Sequence, residues 1–205
     1  MNTISSIVKR RSIKSFDPTY TIKKNKVKEL IKLAMLAPSS FNLQHSRFVI
    51  IDNKETREKI RAISLDQQPV TTASLFIVLC ADLSAWKKYP EYLWKNSPEN
   101  VNSVVQKTIK KYYTENPLYI RDNAVTSCGL AAQNLMLAAT SMGYASTPMA
   151  DYNHDQLSQI IQLPQNHIIS MCIAIGKKTR DAPPRAGNMD YNEVVYYNNF
   201  ETKDN

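Results

Sequence analysis

The sequence predicts one domain of the α/β type, built around a buried sheet. Two continuous apolar runs, LFIVLCA at residues 75–81 and HIISMCIAI at residues 167–175, suit strands that are buried on both faces. Between them, residues 124–142 carry a wide apolar stripe at helical spacing, which predicts a central helix that ends at Gly143. Because repeats, low-complexity segments and long linkers are absent, we read residues 1–205 as a single domain.

Shorter patterns predict the other elements. Helical spacing indicates helices at residues 2–9, 26–37, 54–64, 100–113 and 155–161. Short apolar or β-branched runs indicate strands at residues 48–51 and 144–146.

Two segments have a different character. Residues 86–120 form an excursion that is rich in aromatics and lysine and is interrupted by three prolines. Its aromatic side chains suit either simple packing or a lid over a planar substrate, and the sequence leaves both open. Residues 179–205 form a polar tail with one strand-like patch at residues 194–197. A tail of this kind often packs on a partner subunit.

The charge of the chain favours anionic partners. The 205 residues carry a formal net charge of +8, and the isoelectric point is near 9.3. The cations are spread in pairs, and no basic block is long enough for a nucleic-acid arm. Nucleic-acid or anionic-surface binding is therefore an alternative, supported only by the lysines and aromatics that are mixed in residues 86–120.

Several classes of site are excluded by missing motifs. The chain lacks a G-x-S-x-G elbow, a Walker A loop and a G-x-G-x-x-G fingerprint, and it contains only four glycines. The three cysteines lie in apolar stretches and read as reduced packing thiols, while the three histidines lack metal-ligand spacing. With no signal-peptide pattern and no apolar run of about eighteen residues, we expect a cytoplasmic protein that binds no metal and no membrane.

One cationic stretch could hold an anion. Without glycine-rich loops, a phosphate must be bound mainly by side-chain cations, and Arg10, Arg11, Ser12 and Lys14 supply such donors. A further cation, Arg185, follows two prolines that hold the tail extended. The alternative is an exposed basic helix end whose cations interact with the helix dipole.

The motifs together resemble the nitroreductase family of FMN-dependent NAD(P)H oxidoreductases. The stretch RRSIKSF at residues 10–16 resembles the opening motif of that family, and APSSFNLQ at residues 37–44 resembles its A-P-S-x-x-N-x-Q motif. GLAAQNLMLAA at residues 129–139 resembles its central helix, and TPM at residues 147–149 resembles the following turn. The ending at residues 176–196 resembles its tail. Five motifs in the same order span about residues 4–197.

The resemblance implies an architecture beyond the α/β reading. It is an α+β, three-layer α-β-α fold with a mixed, mostly antiparallel sheet. The protein would be a homodimer in which the tail strand is exchanged onto the partner's sheet. Two FMN sites would lie at the dimer interface, each built from both subunits.

The resemblance also implies the roles of individual residues. Arg10 and Ser12 would bind the FMN phosphate with Arg185, and Arg11 would act mostly through its backbone amide. Lys14 would reach the pyrimidine edge of the flavin, where negative charge appears on reduction. The cofactor-binding set is Arg10, Arg11, Ser12, Lys14, Ser39, Ser40, Asn42, Gln67, Pro148, Met149, Ala150, Lys177 and Arg185.

The resemblance also implies which subunit supplies each of these residues. Ser39, Ser40 and Asn42 would come from the partner subunit and suit ribityl and ring-edge hydrogen bonds. The residues at 148–150 would line the flavin face with backbone groups. Gln67 or Gln68 would touch the ring edge, and the sequence does not choose between them. Ser39 and Ser40 could also be only a helix stop and turn.

The implied activity is ping-pong transfer of a hydride from NAD(P)H, through bound FMN, to nitroaromatic, quinone or related planar acceptors. No side chain is expected to act as an essential acid or base, because the cofactor carries the chemistry. Other branches of the family, such as flavin destruction and dehalogenation, are alternatives. The chain departs from the family pattern at Ala150 and Asp151, where many members have Glu-Gly or Gly-Gly, and at His45, where many have proline.

Overall fold

A four-stranded antiparallel sheet forms the centre of the computed structural model, which describes residues 2–201. Its strands are β1 (Ser46–Ile50), β2 (Leu75–Asp82), β3 (Ala145–Met149) and β4 (His167–Gly176), in the spatial order β1-β2-β4-β3. All neighbouring strands pair antiparallel. Within residues 2–201 the parallel component is a single bridge between Ser12 and Ser146, so the sheet is less mixed than predicted.

Helices cover both faces of the sheet. In chain order they are α1 (Thr3–Lys9), α2 (Lys24–Ala34), α3 (Lys54–Ala62), α4 (Pro69–Thr72), α5 (Ala85–Lys88), α6 (Pro90–Leu93), α7 (Glu99–Glu115), α8 (Leu118–Ser141), α9 (His154–Ile160) and α10 (Tyr191–Val194). A 3₁₀ turn spans Ser40–Asn42. The side chains of Asn2, Asn53 and Asn153 cap α1, α3 and α9 by accepting backbone hydrogen bonds.

The strand β2 divides the interior into two cores. Its residues alternate strictly, because side chains in a strand point to opposite faces. Phe76, Val78 and Cys80 pack in the core that contains residues of α3 and α9. Leu75, Ile77, Leu79 and Ala81 pack in the core that contains residues of α2 and α8. The arrangement confirms the predicted three-layer α-β-α fold.

The excursion forms a smaller cluster of its own. Helices α5, α6 and α7 occupy most of residues 86–120, and Leu43, Ala85, Ile109 and Tyr113 are buried between them and the turn after α2. The excursion is therefore packed against that turn, and it also contacts α8 and the end of β2.

Most predicted elements are present, with shifted ends. Helix α8 begins at Leu118 rather than at residue 124, directly after Pro117, which suits the start of a helix. Gly143 has a φ of 81° and ends α8, as predicted.

The strand-like patch predicted at residues 194–197 begins with a helical residue. Val194 ends the short helix α10, which has a capping box formed by Asp190 and Glu193. The exchange of a tail strand between subunits remains a prediction. Among residues 2–201, no helix has both the length and the apolar character needed to cross a bilayer.

Candidate functional site

The segment after α1 runs along β3 and presents alternate side chains outward. The backbone amide of Ile13 donates to the carbonyl of Ser146 at 3.0 Å. Ile13 and Phe16 are buried, whereas Ser12 and Lys14 are exposed. Gly176 at the end of β4 permits this packing, because a Cβ there would lie 3.0 Å from the Phe16 ring. Ser12 and Lys14 therefore face solvent on an edge of the sheet.

The tail returns to this segment. Nη2 of Arg185 donates to the carbonyls of Val8 and Arg10, at 3.1 and 3.2 Å, and so satisfies carbonyls at the end of α1. The guanidinium of Arg11 donates to the carbonyl of Pro183. The structure thus brings Arg185 to Arg10, as the sequence suggests. The side chain of Arg11 is thus engaged by the tail, and the contact of its backbone amide with a phosphate stays a prediction.

A cavity of about 420 Å³ lies beside these residues and is strongly basic. Lys9, Arg10, Arg11 and Lys178 line it together with Ser146. Nη1 of Arg10 and Oγ of Ser146 are buried without a hydrogen-bond partner in the described part of the chain. Buried polar groups are normally paired, so these two groups have hydrogen-bonding capacity left for a polar ligand.

Lys178 pairs with Asp181, which also lines the cavity, whereas the predicted cofactor-binding cations lack carboxylate partners in the part that the structure describes. In residues 2–201, none of Arg10, Arg11, Lys14 and Arg185 takes part in a salt bridge. Uncompensated guanidinium groups beside a pocket suit a phosphate, which accepts several charge-assisted hydrogen bonds. The cavity therefore fits the phosphate of FMN by its donor set.

A second group of predicted residues lies next to the first. Nζ of Lys14 donates to Oε1 of Gln67 at 3.4 Å, and Nε2 of Gln67 donates to the carbonyl of Asp151 at 3.4 Å. This geometry favours Gln67 over Gln68, which is exposed and offers its carbonyl to Thr72 at 2.9 Å. Lys14, Gln67 and the chain after β3 thus form one exposed polar edge.

The residues at the end of β3 differ in exposure. The side chain of Met149 is packed in the core, so only its backbone is free for a ligand. Ala150 is exposed and Pro148 is half-buried. Lys177 follows β4, and its ammonium lies 5.8 Å from the centre of the Tyr20 ring. Lys177 is thus close in sequence to this edge but is directed toward Tyr20.

Gln67 is carried by what we call the ion-pair turn, residues 64–67. Leu65 and Asp66 have φ values of 50° and 51°, in the left-handed region that non-glycine residues rarely adopt. Nη2 of Arg61 donates to Oδ2 of Asp66 at 3.1 Å. Nε of Arg61 lies 2.8 Å from Oδ1, but its N–H is not aligned with that oxygen. A local ion pair therefore holds this turn.

Ser39, Ser40 and Asn42 lie elsewhere, in what we call the aromatic turn, residues 39–44. Phe41, Asn42 and Gln44 have φ values of 51°, 56° and 48°. Such left-handed residues each cost about 1–3 kcal/mol and persist only where the surroundings hold them. The turn precedes β1, at the opposite edge of the sheet from β3. The structure does not bring these residues to Arg10 within one chain.

The excursion holds the aromatic turn. Nε1 of Trp94 donates to the carbonyl of Phe41 at 3.0 Å, and the hydroxyl of Tyr113 donates to Oγ of Ser40 at 3.2 Å. The Phe41 ring meets the rings of Tyr112 and Tyr113 edge-on, with centroids 5.4 and 6.0 Å apart. Trp94 and Tyr113 belong to the aromatic side chains for which the sequence leaves packing and a lid open, and it predicts no contact of theirs with Ser40 or Phe41. The aromatic density of the excursion was the only available signal.

A buried polar cluster follows the aromatic turn directly. His45 is fully buried, and its Nδ1 lies 3.0 Å from the carbonyl of Asp82. Burial lowers the pKa of His45, so the imidazole is neutral. Asp82 is also buried, and burial would raise its pKa. Hydrogen bonds from Ser84, helped by His167 and Arg47, outweigh that effect and lower the pKa of Asp82.

The fold and these motifs agree with known proteins. The sequence model described as "Nitroreductase family" matches residues 7–177. The chain belongs to the nitroreductase family. This confirms the predicted resemblance.

Two curated relatives illustrate the match. The chain is 40% identical to "Protein DrgA" of Synechocystis sp., over 89% of this chain and 87% of that protein. It is 28% identical to "Putative NAD(P)H nitroreductase MhqN" of Bacillus subtilis, over 92% and 95% of the two chains.

Solved structures share the fold along the whole chain. A protein from Exiguobacterium sibiricum, described as a "putative nitroreductase in complex with FMN", has a TM-score of 0.88 and 25% identity, and covers 96% of this chain and 97% of its own. Nitroreductase A from Vibrio parahaemolyticus has a TM-score of 0.77 and 24% identity, with 98% and 78% coverage. The second likeness supports the fold alone.

Proposed function

We propose that this member of the nitroreductase family is an FMN-dependent oxidoreductase that uses NAD(P)H to reduce planar acceptors such as nitroaromatics and quinones. The observation that carries the proposal is the basic cavity, in which Nη1 of Arg10 is buried without a partner. The printed names of relatives that refer to NAD(P)H, and the neighbour in complex with FMN, support the same cofactors.

The phosphate would be bound where the N-terminal segment meets the tail. Arg10 and Arg11 line the cavity, and Ser12 adds an exposed hydroxyl from the same segment. Arg185 uses Nη2 for carbonyls of α1, and its remaining donors can serve an anion. The carbonyl contacts fix the arginine in place, so little side-chain entropy remains to be lost on binding.

The ring would lie along the polar edge formed by Lys14 and Gln67. Bound FMN supplies the two-electron redox chemistry that the protein side chains lack. The ammonium of Lys14 places a positive charge at this edge, where it stabilises negative charge that develops on reduction. Backbone groups at residues 148–150 would contact the ring, and Lys177 adds positive charge nearby. No side chain in this set needs to act as a general acid or base.

A homodimer would complete the site. The Arg10 group lies beside β3 and the aromatic turn precedes β1, and these two edge strands are three spacings apart, about 14 Å at about 4.8 Å per strand. One chain therefore does not surround a flavin with both groups, whereas a partner subunit can supply Ser39, Ser40 and Asn42.

The exposed apolar surface supports the same dimer. Ile4 and Val8 on α1, with Met35 and Leu36 after α2, expose 74%, 66%, 55% and 76% of their surface. The tail, with its predicted exchanged strand, would add to this interface. Sedimentation equilibrium that gives a monomer at micromolar concentration would contradict the dimer.

The proposed function is tested first by colour. The purified protein, or the protein incubated with FMN, should show flavin absorption bands that bleach when NAD(P)H is added without oxygen. The bands should return when a quinone or nitroaromatic is added. A protein that takes up no FMN would overturn the proposal.

The phosphate assignment is tested by combining Arg10→Ala with Arg185→Ala. Charge-assisted hydrogen bonds contribute about 1.5–3 kcal/mol each, so each substitution should weaken FMN binding by about tenfold or more. Arg180→Ala, in the exposed tail, is the matched control and should leave the dissociation constant unchanged. An FMN affinity of the double variant equal to that of the wild type would contradict the assignment.

A further inference from the structure

A chain of hydrogen bonds connects α8 to the aromatic turn through the excursion. Nδ2 of Asn123 donates to the hydroxyl of Tyr113 at 3.3 Å, and that hydroxyl donates to Oγ of Ser40 at 3.2 Å. Tyr113 is only 1% exposed, so solvent does not compete for its hydroxyl. The three residues come from α8, α7 and the aromatic turn, and 73 positions separate Ser40 from Tyr113.

The direction of this chain is set by the amide at its start. An amide nitrogen can only donate, so the oxygen of Tyr113 is the acceptor of the first bond. The proton of Tyr113 is then directed to Ser40, whose oxygen accepts it. The proton of Ser40 is consequently turned away from Tyr113. Because successive hydrogen bonds polarise one another, Ser40 becomes a stronger donor than an isolated serine.

The backbone around Ser40 is fixed by the same excursion. The indole of Trp94 holds the carbonyl of Phe41, and the Phe41 ring packs edge-on against Tyr113. Phe41 is thereby kept in the left-handed region that a phenylalanine rarely adopts. Both the orientation of the Ser40 hydroxyl and the path of its backbone thus depend on residues of the excursion.

We infer that Tyr113, supported by Asn123, is a positioning residue that makes Ser40 a hydrogen-bond donor to an acceptor atom of the bound flavin cofactor. This inference rests on the proposed function and deepens it. It gives the excursion a role in cofactor binding: the excursion fixes one hydroxyl of the site, in addition to any contact with an acceptor substrate.

The inference is tested by a double-mutant cycle on FMN affinity, measured by quenching of flavin fluorescence. Loss of one neutral hydrogen bond corresponds to about a threefold to tenfold change, so Tyr113→Phe should weaken FMN binding by that factor. In a Ser40→Ala background the same substitution should have no further effect. In a Ser40→Thr background, which keeps the hydroxyl, the effect should return.

Two further variants separate positioning from general damage. Tyr112→Phe removes a hydroxyl from the same cluster but outside the chain, and should leave FMN affinity unchanged. Asn123→Asp replaces the donor by a carboxylate that accepts the proton of Tyr113, which reverses the chain. Asn123→Asp should weaken FMN binding at least as much as Tyr113→Phe does. Combined with Tyr113→Phe, it should cause no further loss of FMN affinity.

The outcomes distinguish this inference from the proposed function. A wild-type protein that binds no FMN would overturn the proposed function and the inference with it. If the wild-type protein binds FMN but Tyr113→Phe leaves the affinity unchanged, the inference alone is overturned. The same holds if Tyr113→Phe weakens binding equally in the wild-type and the Ser40→Ala backgrounds. Thermal unfolding of the FMN-free variants checks that each one is folded at the temperature of the binding measurement.

Discussion

The aromatic turn and the ion-pair turn both contain left-handed residues that are not glycine, and different contacts hold each of them in place. Each carries a candidate cofactor-binding side chain, Ser40 or Gln67. The ion-pair turn is held by Arg61, only five positions from Asp66. The aromatic turn is held by Trp94 and Tyr113, which are 53 and 73 positions away from their partners.

The difference concerns which forces offset the backbone strain. Ring packing and buried hydrogen bonds are not screened by salt in the way that exposed charges are, and they make the aromatic turn depend on the folding of the whole excursion. An exposed ion pair is weak and screened by salt, and the ion pair of this turn joins residues that are close in sequence. The two turns should therefore respond differently to added salt and to the loss of ring packing.

The largest expected effect is on the aromatic turn. Tyr113→Ala should lower the free energy of unfolding by about 3–5 kcal/mol, because it leaves a cavity at a fully buried aromatic position. Urea denaturation of the variant and of Tyr92→Ala, a tyrosine of the same excursion that is 64% exposed, measures the difference. The control should change stability by less than about 0.5 kcal/mol. If both variants lose the same free energy of unfolding, Tyr113 does not hold the aromatic turn more than an exposed tyrosine does.

This contrast also explains what the sequence could predict. The apolar alternation of β2 and the stripe of α8 reveal the buried elements, because burial repeats with the period of the structure. The sequence also indicates the cationic stretch at residues 10–14, because its donors lie close together in sequence. Family motifs indicated Ser40 and Arg185.

The supporting contacts could not be predicted. Phe41 and Leu65 carry no sequence mark of a positive φ, which is usually signalled by glycine or asparagine. The bond from Tyr113 to Ser40 depends on tertiary packing over 73 positions, which local patterns do not encode. The choice of Gln67 over Gln68 likewise required the turn geometry.

Asparagine substitutions test the strain in both turns. Leu65→Asn should stabilise the protein by about 0.5–1 kcal/mol, because asparagine tolerates the left-handed region and Leu65, 80% exposed, loses little packing. Phe41→Asn should destabilise it by about 2 kcal/mol, because two edge-on ring contacts are lost. Thermal unfolding of the two variants checks the opposite signs. A destabilising Leu65→Asn would show that its backbone is not strained.

Acid should weaken the side of the molecule that contains the aromatic turn. Burial holds the pKa of His45 below its usual value of 6.5. As the pH falls below about 6.5, the unfolded chain takes up a proton that the folded chain resists, so the free energy of unfolding decreases until the folded pKa is reached.

His45→Asn should remove this pH dependence and keep an N–H for the carbonyl of Asp82. Urea unfolding between about pH 8 and pH 5 would measure it as a smaller slope of stability against pH. The lowered pKa of Asp82 does not interfere, since its stabilisation is lost only below about pH 3.9. Identical slopes for the variant and the wild type would contradict a buried neutral His45.

The smallest effect is expected at the ion-pair turn. Asp66→Asn removes the charge but keeps a residue that tolerates the left-handed backbone, so it isolates the contribution of the bond to Arg61. Asp66 is exposed, and such pairs contribute about 0–1 kcal/mol, so the loss of stability should lie in that range. It should vanish when salt is raised to about 1 M, where the screening length is about 3 Å. Urea unfolding at low and high salt measures both values. A loss that persists at high salt would mean that packing, as in the aromatic turn, also holds this one.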